Sequence, residues 1–188
     1  CSVTASRSVS VIPAWRSSFI RRNIRPISPS ALINAVNIVT PPMPDVDRPA
    51  PVSGLEGKFS FQYAAACALL DGKVGIASFH DQRRFRGDMK SMLRRMKVSV
   101  DASLPTAFNQ MQVSVEVTLH DGTVHRATCE RPPGFWGAPL DIAQHREKVR
   151  DCLATRLDAG RVARVTGLLE SLEVLPAEGV RELSLLLE

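Results

Sequence analysis

The chain lacks any run of the ~18 apolar residues that a membrane-spanning helix requires; its longest, residues 64–70, is far too short. Its four cysteines, Cys1, Cys67, Cys129 and Cys152, form no Cys-x-x-Cys pair and no Cys/His cluster. The spacing of a zinc module or a redox dithiol is therefore missing. The thiols read as buried or incidental ones in a reducing, cytoplasmic setting. The histidines His80, His120, His125 and His145 are scattered, and His120 and His125 read as solvated strand ends beside a turn. No phosphate-binding loop, dinucleotide glycine fingerprint, His-Glu-x-x-His or Gly-x-Ser-x-Gly occurs. Tyrosine is nearly absent: Tyr63 is the single one.

The net charge of +5 raises the question of nucleic-acid binding. Its distribution argues against it. Residues 1–32 hold Arg7, Arg16, Arg21, Arg22 and Arg25, eight serines, no lysine and no acid. Residues 33–188 therefore keep 24 − 5 = 19 basic against 19 acidic residues, a net of zero. Three readings of the leader compete: a mitochondrial targeting segment, since Arg-rich, Ser-rich and acid-free composition suits one; a disordered arm; or out-of-frame sequence from an upstream frameshift. Nucleic-acid binding through the leader would need a steep salt dependence that is lost with residues 1–32.

From Ile33 onward the pattern becomes legible. Residues 33–40 are rich in β-branched side chains and end at Pro41-Pro42, which predicts a strand. Residues 41–51 hold five prolines and form an extended connector. A Gly-punctuated loop at 54–57 leads into a helix over 59–70, with Ser60 near its start and Asp71-Gly72 as its stop. A short helical turn is expected at 76–79. Met89, Met92, Leu93 and Met96 recur at spacings of three and four, which predicts an amphipathic helix over 87–96. Residues 97–101 read as a second strand. Val113, Val115, Val117 and Leu119 alternate with Ser114, Glu116 and Thr118, Asp121-Gly122 follows, and alternation resumes at 124–129: a β-hairpin. Residues 132–139 are a Gly/Pro loop in which Trp136 reads as a packing anchor. Helices follow at 141–156, 161–172 and 178–187. Leu168, Leu169, Leu172, Leu175, Val180, Leu183, Leu186 and Leu187 give this tail more apolar surface than a small sheet domain needs, so it is expected to pack on something else. The fold class is α+β: a small antiparallel-rich sheet covered by helices, then a helical tail. The divisions are 1–32 (leader), 33–139 (α+β domain) and 140–188 (tail).

Four segments carry a resemblance. They are Leu55-Glu56-Gly57-Lys58-Phe59-Ser60-Phe61-Gln62-Tyr63 with the Ala-rich helix to Gly72; Ser78-Phe79-His80-Asp81; the strand ending Thr118-Leu119-His120-Asp121-Gly122; and Phe135-Trp136-Gly137 through Pro139-Leu140, followed by Lys148-Val149-Arg150. Together they resemble the C-terminal domain of the MmgE/PrpD family, which includes 2-methylcitrate dehydratase, cis-aconitate decarboxylase and iminodisuccinate epimerase. The Phe-Gln-Tyr form and the Phe-x-Gly loop look closest to the decarboxylase branch, with the dehydratase branch still open.

The resemblance implies a lyase that uses no metal or organic cofactor and acts on small di- and tricarboxylates. Such chemistry moves a proton α to a carboxylate and needs cations and an acid/base pair around the reacting carbon. In the family those groups come mainly from a helical domain that precedes this block, and the tail packs back on that domain. The resemblance carries one site residue over, Tyr63, as a hydrogen-bond donor to a substrate carboxylate or a proton-transfer group; the plain alternative is a tyrosine that caps the core. Lys58 is a weaker candidate for sensing the anionic substrate, against the commoner solvated lysine at a helix start. The chain by itself is expected to be inert. The expected partners are a carboxylate substrate in the presence of a complementary helical domain and a homodimer mate, with no nucleic acid and no membrane. The alternative function is a non-catalytic module that docks a separately encoded helical domain.

Overall fold

The computed structural model describes residues 32–188 apart from 46, 108, 131, 132 and 136. The leader through residue 31 and Trp136 lie outside the described residues. The chain divides into two compact units, the first ending at Pro139 and the second running Leu140–Glu188. Among the described residues no helix is long and apolar enough to cross a membrane.

The first unit holds four strands, β1 (Ile33–Thr40), β2 (Met96–Val100), β3 (Val113–Leu119) and β4 (Val124–Cys129), in the order β2-β1-β3-β4. Pairs β1–β3 and β3–β4 are antiparallel, while β1–β2 is parallel, with Val36 opposite Met96. The sheet is thus mixed, with antiparallel pairings in the majority. A parallel neighbour requires a crossover connection. Here it is made of the helices α1 (Gly54–Gly57), α2 (Phe61–Asp71), α3 (Asp81–Arg84) and α4 (Gly87–Leu93), with a 3-10 turn at Ile76–Phe79.

Strand alternation sorts the two faces of the sheet. Val36 and Ile38 of β1, Met96 of β2, and Val113, Val115 and Val117 of β3 are buried with Tyr63, Ala66, Cys67 and Leu69 of α2 and Met89, Met92 and Leu93 of α4. Each large apolar side chain buried in this way stabilises the fold by about 1.5–3 kcal/mol. The opposite face is joined by polar cross-strand pairs: Ser99 Oγ donates to Asn37 Oδ1 at 2.8 Å, Ser114 and Thr128 hydroxyls meet at 2.8 Å, and Arg126 Nε stands 2.6 Å from Glu116 Oε1. Ile33 pairs with Leu119 and Ala35 with Thr118, so β1 uses two residues where β3 uses one. This bulge explains why Ile33 and Val36, an odd number apart, are both buried.

Several helix boundaries differ from the sequence expectation; in the tail, the helices expected at 141–156 and 161–172 run Ile142–Leu153 and Ala159–Glu170. α2 begins at Phe61 because Ser60 is its N-cap, the hydroxyl accepting from Tyr63 N at 3.0 Å. It ends where Gly72 takes a left-handed φ of 70°. α4 stops at Leu93, because Met96 already belongs to β2 and pairs with β1. The segment 54–57, read as a loop, is a helical turn capped by Ser53, whose hydroxyl accepts from Glu56 N at 3.1 Å.

The second unit contains α5 (Ile142–Leu153), α6 (Ala159–Glu170) and α7 (Ala177–Leu187). Val165, Leu168 and Leu183 form a small core, with Leu153, Leu157, Leu175 and Leu186 packed against it. The apolar surplus is therefore smaller than the sequence suggests. Leu169, Leu172, Val180, Leu185 and Leu187 remain exposed.

Candidate active site

The segment with chemical interest is the head of α2 and the turns wrapped around it. Ser60 fixes it twice: its Oγ accepts from Tyr63 N and donates to Arg48 O at 2.7 Å. Gln62 is buried and donates from Nε2 to Asp47 Oδ1 at 2.6 Å. These bonds tie the proline-rich connector to the helix start.

Tyr63 points into the unit and is 0% exposed. Its hydroxyl donates to the carbonyl oxygen of Ser78 in the 3-10 turn. Its ring lies 6.1 Å from that of Phe79, tilted by 46°. Cys67 is four residues further along α2, on the same helix face, and is buried as well. Burial pushes the Tyr63 phenol far above the ordinary tyrosine range, with Cys67 adding to the effect. Burial likewise pushes the Cys67 thiol up, to about 11, with Asp71 adding to it. At neutral pH both are protonated. The phenol is thus a hydrogen-bond donor or an acid, and not a base.

Lys58 is half-buried, with Nζ 5.7 Å from the centroid of the Phe79 ring. Phe79 therefore touches both sequence candidates, with the Lys58 cation over its ring and Tyr63 beside it. His80 is exposed; its carbonyl accepts from Arg83 N and Arg84 N at the start of α3.

Several residues that the sequence reading passed over hold this arrangement. Gly54 N donates to Asp81 Oδ1 at 2.7 Å, linking α1 to α3. Arg83 makes a bidentate contact with Asp71, through Nε at 2.7 Å and Nη2 at 3.0 Å, and reaches Asp88 through Nη1 at 3.1 Å. That guanidinium joins the end of α2 to the start of α4. Arg84 is buried and donates from Nε to Pro51 O at 2.7 Å. In the sequence Gly54 and Gly57 read as loop punctuation, Asp71 as part of a helix stop and Asp81 as part of a recognisable segment, with no sign of what each holds. The Ser78 acceptor is a backbone carbonyl, which no residue type announces. Among the described residues, no three His, Cys, Asp or Glu side chains stand together as metal ligands.

Comparison with known proteins places this geometry in context. The family model described as the MmgE/PrpD C-terminal domain matches residues 21–173, a span that includes Lys58 and Tyr63. Cis-aconitate decarboxylase of Mus musculus is 30% identical over 149 residues, which cover 79% of this chain and 30% of that protein. Cis-aconitate decarboxylase of Homo sapiens is 29% identical over 149 residues, covering 79% of this chain and 31% of that protein. The matched region thus spans less than a third of each relative's length.

Proposed function

Because the chain belongs to the MmgE/PrpD family, through its C-terminal domain, we propose that it is the C-terminal part of a lyase acting on small di- or tricarboxylates, by decarboxylation of the cis-aconitate type or dehydration of the 2-methylcitrate type. The observation that carries this reading is the family match across 21–173. It is supported by the 30% identity to a cis-aconitate decarboxylase.

In this reading Tyr63 supplies a neutral O–H to a substrate carboxylate. In the chain by itself the phenol is buried and held by Ser78 O, so this role requires that docking of the helical domain opens a path to it. Lys58, over the Phe79 ring, adds positive charge to attract the anion. The remaining cations and the acid/base pair come from a helical domain, and residues 33–188 by themselves do no chemistry.

The test is an assay of CO2 release from cis-aconitate and of dehydration of 2-methylcitrate. The chain is assayed alone and mixed with the separately expressed N-terminal part of a cis-aconitate decarboxylase. The expected result is no turnover alone, turnover in the mixture, and a loss of about 10²-fold with Tyr63→Phe in the mixture, the lower end for a positioned proton-transfer group. Turnover by the chain alone would overturn the need for a partner domain. A second reading, a docking module without catalysis, draws on the exposed Leu169, Leu172, Val180, Leu185 and Leu187. It predicts a stable complex with the helical part and no turnover.

A further inference from the structure

The turn α1 has two glycines, and each lies where a side chain cannot fit. A Cβ on Gly57 would stand 2.5 Å from Cδ1 and 2.8 Å from Cε1 of Tyr63. A Cβ on Gly54 would stand 2.2 Å from the carbonyl oxygen of Phe79 and 2.7 Å from the carbonyl carbon of His80. One glycine therefore lies flat against the phenol ring. The other lies flat against the backbone that follows Ser78, whose carbonyl accepts the phenol's hydrogen bond. Carbon atoms do not approach closer than about 3.5 Å without cost, so both contacts exist only because the side chains are missing. The turn is itself anchored at three points: Ser53 caps it, Glu56 receives Val52 N, and Asp81 receives Gly54 N.

We propose that α1 is the positioning clip of Tyr63: Gly54 and Gly57 let one short turn seat the phenol ring and the Ser78–Phe79 backbone against each other, and so fix the place from which the phenol donates. Gly57 is a positioning residue that acts through Tyr63. Gly54 acts through the acceptor, and Asp81 holds the clip closed. That the aimed hydroxyl meets a carboxylate rests on the lyase reading above; the aiming itself does not. A clip suits a donor that must present its proton from one spot, because a displacement of about 1 Å in a catalytic group costs on the order of 10²-fold in rate.

Tyr63 is the single tyrosine of the chain, so tyrosinate absorbance reports on this phenol alone. In the 188-residue chain the signal should stay silent through pH 11, where an exposed tyrosine with a pKa of about 10 has already ionised. With Gly57→Ala the ring is displaced, and tyrosinate should appear near the ordinary value of about 10 while far-UV circular dichroism remains native. Asp81→Asn keeps the shape but loosens the anchor, so it should move the onset in the same direction by a smaller amount. Gly87→Ala, where an added Cβ meets nothing within 4 Å, should leave the onset unchanged. If Gly57→Ala unfolds the chain, the Asp81→Asn onset decides the matter. An onset in Gly57→Ala or Asp81→Asn identical to that of the wild type, with native dichroism, overturns the clip. Turnover in the mixture with a helical part reads the lyase proposal separately: a silent mixture with a shifted onset leaves the clip standing and removes the lyase. If both hold, Gly57→Ala in the mixture should lower kcat with little change in KM.

Discussion

Helices α2 and α5 are nearly the same length and start the same way, yet they have opposite fates. α2 has eleven residues and opens on Ser60, whose hydroxyl caps Tyr63 N; α5 has twelve and opens on Asp141, whose carboxylate caps Gln144 N. Eight residues of α2 are buried, and none of α5 is. The cause is composition. Ala64, Ala65, Ala66 and Ala68 let neighbours approach α2 closely, and its one charge, Asp71, stands at the end. α5 carries His145, Arg146, Glu147, Lys148, Arg150 and Asp151 along its length. A cap decides where a helix begins, and burial decides how much that helix contributes. The same contrast separates the two units. The sheet unit has a core shared by strands and helices. The tail, a unit of about 50 residues, has only four buried apolar residues among those described, Val162, Val165, Leu168 and Leu183, and small units of this kind are marginal by themselves.

The largest effect should come from Met92, which is 1% exposed at the centre of the first core. Met92→Ala removes its contacts and leaves a cavity, costing about 2–5 kcal/mol. Ile142→Ala, in the exposed α5, should stay within about 0.5 kcal/mol. Urea denaturation with peptide-resolved amide exchange separates the units. Equal losses would mean that α5 is covered by something and would break the comparison.

Next in size is a pair of glycines whose replacement by alanine should have opposite signs. Gly54→Ala drives a Cβ into the Phe79 backbone, at 2.2 Å, and should destabilise by about 1–3 kcal/mol. Gly167 lies inside α6, and an added Cβ there meets nothing within 4 Å. Gly167→Ala should therefore stabilise the tail by up to about 1 kcal/mol through helix propensity. Thermal melts of both variants check the signs; a loss at Gly167 would show that the exposed face of α6 is occupied.

How much of this was legible follows the range of the interactions. The hairpin of β3 and β4 was plain, because alternation at period two and Asp121-Gly122 are local signals. The parallel pairing of β1 with β2 was not, since nothing near Val36 announces Met96, sixty residues away. For the same reason Met96 was drawn into a helix, its spacing from Met92 and Leu93 being equally good for one. Ser60 was visible as a start signal, but Phe59 ahead of it carried the helix two residues too far. In the tail, the pattern of each helix leaves Leu168 and Leu183 on the surface; they are buried by one another's helices, which a single-helix pattern cannot show. At the candidate site Tyr63 stood out as the lone tyrosine of a recognisable block. Its partners did not: one is a backbone carbonyl, and the others are glycines that matter for what they lack.

The smallest effect concerns charge, and it sharpens the contrast between the units. The tail's helices are tied by Arg146 to Glu170, at 2.6 and 3.1 Å, and by Arg164 to Glu182, at 2.5 Å. Arg161 adds a bond to the carbonyl of Leu186 at the end of α7. The ion pairs are exposed, with both side chains of the first pair more than 40% accessible. Exposed pairs contribute little and are screened as salt shortens the Debye length from ~10 Å at 0.1 M to ~3 Å at 1 M. In the sheet unit the Arg83 side chain is 10% exposed where it meets Asp71 and Asp88, and screening reaches it less. Raising sodium chloride from about 0.1 to 1 M should therefore speed amide exchange in α6 and α7 while leaving α2 and α4 unchanged. Glu182→Gln should abolish part of the tail's salt response, and Asp71→Asn should alter the sheet unit at both salt concentrations. If the tail proves as indifferent to salt as the sheet unit, its stability rests on the apolar core around Val165, Leu168 and Leu183, and the ion pairs between its helices add nothing that this core does not already supply.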